Sequence, residues 1–151
     1  MSELITISHN IPEIQKALTT LARKVSVIQS ALKNIGQALE LSTRDRWDQE
    51  IDPNGQKWEA LKPSTLKRKA KKKKPLKILL QDDHLRFTIN SQVEGDSLTV
   101  GSPQKHAAVH QLGGPAGRKS KQFTMPARPF LGISKADESE IVATIRDHLK
   151  L

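Results

Sequence analysis

The sequence predicts an α+β protein of one domain: a helical N-terminal part, a small antiparallel sheet with a β-hairpin, and a C-terminal helix. Three observations carry that expectation. Apolar residues recur at Ile14, Leu18, Leu21, Val25, Ile28, Leu32, Ile35 and Leu39, alternating steps of four and three as in a coiled-coil stripe. Residues 86–93 and 97–101 instead alternate with period two around a Gly95-Asp96 turn, the pattern of a half-buried hairpin. Ile141, Val142, Ile145 and Leu149 then return to helical spacing at the end of the chain.

Taken in order, residues 4–8 alternate with β-branched side chains and predict a short strand. Asn10, Pro12 and Glu13 supply a side-chain cap, a first-turn proline and an acid at the capping-box position, so a helix starts there. The stripe that follows fits one long helix to about residue 49, or two helices broken near 24–27, where Val25, Ser26 and Val27 weaken helix propensity. Without Gly or Pro at that point the residues slightly favour continuity. Asp52-Pro53-Asn54-Gly55 is a turn, with proline presetting φ and Asn-Gly tolerating positive φ. Trp47 and Ile51 precede it, and Trp58 and Leu61 follow as anchors. Pro63-Ser64-Thr65 opens a short helix to about residue 72 that stops at Pro75, and Ile78-Leu79-Leu80 is a short apolar run.

After the hairpin, residues 104–112 read as a short helix stopped by Gly113-Gly114, and the Gly-, Lys- and Arg-rich segment 114–122 reads as a mobile loop. Residues 126–130 are a stiff extended strap: Pro126 and Pro129 fix their own φ, push Met125 and Arg128 towards extended backbone, and remove two amide donors. Phe130 and Leu131 are large enough to anchor the strap in a core, which leaves Arg128 for a bidentate contact at its surface. Ser134 and Asp137 form a capping box that opens the last helix, from about residue 135 to 149.

Composition narrows the function. The 151 residues contain no cysteine, so disulfides and thiolate chemistry are excluded, in keeping with a reducing compartment. No apolar run approaches the roughly 20 residues of a membrane span, and the N-terminus lacks the basic and apolar regions of a signal peptide. A soluble protein made in the cytoplasm, with no membrane partner, is the expectation. The net charge of +9 is concentrated: residues 66–77 hold eight cations and no acid, and subtracting these eight leaves +1. These cations, Lys67, Arg68, Lys69, Lys71, Lys72, Lys73, Lys74 and Lys77, would attract phosphate or an acidic partner. The bland reading is a flexible, solvated segment. With three Phe, two Trp and no Tyr, stacking platforms for single strands are scarce, and any nucleic-acid contact would be sequence-independent.

Catalytic patterns are missing. His106 and His110 have the i, i+4 spacing of zinc ligands, but the residue after the first is Ala107 where a metalloprotease needs glutamate, and no third ligand is near. A structural or interface role is expected for them, with no metal or cofactor. There is no G-x-S-x-G and no phosphate-cradling glycine loop. Asp45, Asp48, Glu50 and Asp52 are interspersed with Arg44 and Arg46 as on a solvated face. The expectation is a non-enzymatic protein.

Four blocks, in this order, resemble the phage virion morphogenesis (tail completion) family, which includes the Mu-like tail protein G and the P2-like tail completion protein S. They are W-x-x-E-I-D-P-N-G-Q-K-W-E-A-L-K-P-S-T-L-K-R-K at 47–69, the leucine-rich 78–85, H-A-A-V-H-Q-L-G-G at 106–114 after the hairpin, and M-P-A-R-P-F-L-G-I-S at 125–134. Two departures stand out: Asp82-Asp83 replaces a Thr-Gly pair, and His106 stands where the family often has Tyr. The resemblance implies two N-terminal helices instead of one, which is the reading adopted here. It further implies a structural protein of a tailed phage or prophage that finishes the head-proximal end of the tail so that it can join a filled capsid. Such a protein would be made in the host cytoplasm and end in the virion tail or neck. Its partners would be itself, as a ring-like homo-oligomer, and other tail or neck proteins. Pro126, Arg128, Pro129, Phe130 and Leu131 are the expected subunit or partner contact, with an intramolecular brace as the equal alternative. A DNA-binding accessory protein using the basic segment is the alternative function.

Overall fold

The structure is a computed structural model that describes residues 12–21, 25–80 and 84–149. The strand expected at 4–8, the Asn10 cap and the Asp82-Asp83 departure lie outside the described residues. Two N-terminal helices are present, α1 (Pro12–Leu21) and α2 (Val25–Gln49). α3 (Pro63–Lys71), a single turn α4 (His84–Phe87), the hairpin β1 (Asn90–Glu94) and β2 (Ser97–Gly101), and α5 (Ala107–Leu112) follow. The chain continues with β3 (Gly114–Arg118), β4 (Lys121–Met125) and the final α6 (Lys135–Leu149). The architecture is α+β, with two separate two-stranded antiparallel sheets.

α2 organises the fold. Ile28, Leu32, Ile35 and Leu39 from its stripe are buried with Ile141 and Ile145 of α6, and Ile14 of α1 packs at the margin of the same cluster. α2 also covers the β1–β2 hairpin, whose Val93, Leu98 and Val100 close this core. The helix comes very near the sheet at Gly36, where an added Cβ would stand 2.6 Å from the Ser91 Oγ. Glu40, one turn on, accepts from both the amide and the hydroxyl of Ser91, at 2.7 and 2.6 Å, and so pins β1 to the helix.

The C-terminal end of α2 enters a second core. There Trp47 meets Trp58 edge-on, ring centroids 5.6 Å apart, and Phe130 at 4.8 Å. Ile78, Leu85, Ile89, Ala107 and Leu131 complete it. The 52–55 turn forms as expected, the Gly55 amide donating to the Asp52 carbonyl at 3.0 Å and the Asn54 amide to the Asp52 carboxylate at 2.8 Å.

Two expectations need correction. Residues 86 and 87 belong to a helical turn, not to the first strand. In a strand Leu85, Phe87 and Ile89 would share one face; instead Leu85 and Ile89 are buried in the aromatic core while Phe87 is exposed, as the helical turn at His84–Phe87 allows. The segment 114–122, expected to be a loop, forms most of the β3–β4 hairpin, paired from Gly114↔Met125 to Arg118↔Lys121. Its sequence lacks alternation because neither face is buried: residues 117–124 are all exposed. The last helix starts where the capping box places it, with Ser134 Oγ accepting from the Asp137 amide at 3.1 Å and Asp137 Oδ2 accepting from the Ser134 amide at 2.9 Å.

Candidate functional site

The strap lies against α5, and several of its backbone groups are satisfied within the chain. The Arg128 amide donates to the His110 carbonyl at 2.7 Å. Beyond Pro129, the buried side chain of Gln111 substitutes for a neighbouring strand. Its Oε1 accepts from the Phe130 and Leu131 amides, each at 3.0 Å, and its Nε2 donates to the Leu131 carbonyl at 3.0 Å. The Trp58 indole donates to the Pro129 carbonyl at 2.7 Å. A two-proline segment cannot join a ladder on both edges, and here an amide side chain and an indole supply the missing partners.

Phe130 and Leu131 are buried, as the anchoring argument expects. Arg128 is buried too, which differs from the surface contact expected for it. Its Nε donates to the Glu59 carbonyl at 2.8 Å and its Nη2 to the Ala60 carbonyl at 3.3 Å, tying the strap to the segment before α3. Burial lowers the Arg128 pKa from its ordinary value, while Glu59 and Glu50 oppose the shift. The outer surface of the strap is therefore made by Ala127, which is exposed, and by the half-buried Pro126 and Pro129.

Arg46 secures the far end of the strap. From α2 it donates to the Gly132 carbonyl at 3.1 Å, to Ser42 Oγ at 2.6 Å and to Asp137 Oδ2 at 2.7 Å, an ion pair buried on both sides. Burial raises the Asp137 pKa, but hydrogen bonds from Ser42 and Ser134 and the Arg46 charge outweigh it and hold the carboxyl below its ordinary value. The strap, α2 and the start of α6 are thus one bonded unit.

The basic segment divides by role. Lys69 is buried and donates to the carbonyls of Lys77 and Leu80 at 2.6 and 2.8 Å, closing the loop after α3. Burial lowers its pKa, Glu50 opposes that, and Arg68 and Arg128 add to it. Lys77 donates to the Asp48 carbonyl at 3.0 Å. Lys67, Arg68, Lys71, Lys72 and Lys73 are exposed, and Lys74 is half-buried.

His106 and His110 come together, ring centroids 5.7 Å apart and edge to face. Burial, then the charges of His106 and Arg128, push the His110 pKa down to about 4, and its buried Nδ1 has no partner among the described residues. Among the described residues no group of three His, Cys, Asp or Glu side chains could hold a metal ion. No described helix is long and apolar enough to cross a membrane.

Gln111 and the carbonyls of Glu59 and Ala60 are the site members that sequence reasoning missed. Gln111 stands inside H-A-A-V-H-Q-L-G-G, so the only signal was its position in a block shared with other proteins.

The chain is thus α+β, with a two-proline strap bonded into an aromatic core. It belongs to the phage virion morphogenesis family, which it matches over residues 9–150, and its role lies in phage tail and virion morphogenesis. It is 32% identical over 148 residues to the "putative capsid assembly protein G" of Escherichia phage Mu, covering 97% of this chain and 94% of that one. It is 29% identical over 143 residues to the "Mu-like prophage FluMu G protein 2" of Haemophilus influenzae, covering 95% and 94%. No solved structure gives a significant match.

Proposed function

We propose that this protein completes the head-proximal end of a phage tail and permits the tail to join the capsid, acting by self-association and by contact with neighbouring tail or neck proteins. The observation that carries the reading is membership of the virion morphogenesis family over nearly the whole chain. The name of the Mu relative refers to the capsid, and a component at the junction of head and tail meets both descriptions. The fold is, in this reading, a variant of the small α+β domains of phage necks and tail ends. The protein is made in the host cytoplasm and ends in the virion.

The strap supports a division of labour within the contact. Arg128, Phe130 and Leu131 hold it from inside, and Pro126, Ala127 and Pro129 present its outer side to a second subunit. Leu112, at the end of α5, is 74% exposed and stands next to the glycine on which Ala127 rests, so it extends that side with an apolar residue.

Electron microscopy of lysates from phage lacking this protein tests the function. Filled heads and separate tails are expected, and joined particles in normal yield would overturn it. Analytical ultracentrifugation of the purified protein tests self-association. A ring-sized species lost on Leu112→Asp is expected, and a wild-type monomer at high concentration, with or without neighbouring tail proteins, would overturn it.

A further inference from the structure

The excess positive charge of this protein sits on two elements. The basic segment contributes eight cations, and the β3–β4 hairpin adds Arg118, Lys119 and Lys121 with no acid; subtracting all eleven from +9 leaves −2 for the rest of the chain. Lys69 is taken up by loop carbonyls and Lys77 by Asp48. Lys77 is exposed but bonded; five further cations of the segment, at 67, 68, 71, 72 and 73, are exposed, as are all three on the hairpin.

Both elements spring from the Arg128 clamp. Arg128 holds the carbonyls of Glu59 and Ala60, and α3 begins at Pro63. The hairpin ends at Met125, three residues before Arg128, and begins after α5, whose His110 carbonyl holds the Arg128 amide. Their bases are therefore fixed beside each other by one buried guanidinium. Arg128 is close enough to Lys69 for its charge to help lower the Lys69 pKa.

The hairpin is built in a way that water alone does not favour. Apart from α5, its neighbour in sequence, no element packs substantially on it among the described residues. A lone two-stranded hairpin is marginal in water. Its register also sets Arg118 directly opposite Lys121, with Lys119 in the turn between, and like charges across a strand pair repel. An anion seated there removes the repulsion and covers the exposed faces.

We propose that α3 with the loop after it and the β3–β4 arm form one two-part surface that binds the phosphate backbone of duplex DNA without regard to sequence. Six of the eight exposed cations other than Lys77 are lysines, a residue depleted at protein–protein interfaces and suited as a point charge to phosphate. Lysine–phosphate contacts position a duplex but carry no sequence information. Phe123 is the one exposed aromatic on the two elements, too few for a single-strand stacking track.

Fluorescence anisotropy of the full chain with a short random-sequence duplex, over a salt series, tests this. The arm variant is Arg118→Gln, Lys119→Gln, Lys121→Gln; the segment variant is Arg68→Gln, Lys71→Gln, Lys72→Gln, Lys73→Gln. All seven side chains are exposed, and unchanged circular dichroism melting checks that each variant folds. Wild type should bind at low salt, and the slope of log K against log salt should become shallower by about 2–3 in the arm variant and by about 3–4 in the segment variant. An unchanged slope in either variant removes that element from the surface and overturns the two-part proposal. Absence of duplex binding at low salt overturns it as well. Equal affinity for polyglutamate would point to an acidic protein as the partner and overturn the DNA assignment. The result is independent of the tail-joining reading, since ultracentrifugation of the same variants reads self-association separately.

Discussion

Gln111 and Leu131 are bonded to each other in both directions, the Leu131 amide donating to Gln111 Oε1 and Gln111 Nε2 donating to the Leu131 carbonyl, each at 3.0 Å. With the Phe130 amide on the same oxygen, one side chain does for the strap what a neighbouring strand does in a sheet. The two prolines make this necessary. They bar the strap from ordinary pairing, yet Phe130 must sit fully buried against Trp47, and its amide cannot be left unpaired there.

Gln111→Ala should therefore cost more than a typical side-chain deletion on a six-residue helix. It strips partners from two buried amides and a carbonyl, a loss of about 2–4 kcal/mol. Urea denaturation monitored by tryptophan fluorescence reads it, because Trp47 and Trp58 flank the site. A change of a few tenths would mean that the strap is held by its apolar anchors alone.

Gly132 permits the exit of the strap towards α6. Its φ is +153, and a Cβ there would lie 2.5 Å from the Pro53 Cγ. Gly132→Ala should destabilise the fold by about 1–3 kcal/mol through backbone strain. Pairing it with Pro53→Ala should recover part of that loss by relieving the contact, measured as a non-additive double-mutant cycle. Full additivity would show that strain, not collision, sets the cost.

The Arg46–Asp137 ion pair is buried on both sides and shares its atoms with the strap and a helix cap. Arg46→Met leaves the carboxylate buried without its charge partner, and a loss of about 3–5 kcal/mol is expected. Asp137 titrates below its ordinary value in the folded protein, so its contribution is present at neutral pH. That contribution is lost as pH falls from the ordinary value, 3.8, through the depressed one. In Arg46→Met the folded pKa of Asp137 should return towards 3.8, so the share of the acid-linked loss of stability that Asp137 carries should shrink. An unchanged loss would show that the serine hydrogen bonds alone hold the carboxyl down.

Features made by neighbours in sequence were legible from the residues. The Ser134–Asp137 capping box, the 52–55 turn, the β1–β2 hairpin and the buried stripe of α2 each follow from a spacing that one element imposes. Features made by distant partners were not. Arg128 reads as a surface group because nothing near it in the chain reveals that the carbonyls of Glu59 and Ala60 await it. Lys69 reads as one cation of eight, although its neighbours Leu66 and Ala70 give no sign that it alone turns inward to two carbonyls. The β3–β4 arm escaped for the opposite reason. Alternation marks a strand only when one face is buried, and this hairpin buries neither.

His110 gives the protein a pH dependence in a window well above that of Asp137. Folded, it stays neutral down to about pH 4, because burial and the neighbouring His106 and Arg128 disfavour the cation; unfolded, it takes a proton near 6.5. Above 6.5 both states are neutral and the residue is silent. As pH falls from 6.5 towards 4 the unfolded chain binds a proton that the folded one refuses, so stability declines by up to about 1.4 kcal/mol per pH unit. Chemical denaturation at a series of pH values should show this decline in the wild type and a flatter profile in His110→Leu, which keeps the backbone carbonyl that holds Arg128. If the two profiles run parallel between pH 6.5 and 4, His110 is charged in the folded state, and the buried Nδ1 has found a partner that compensates it.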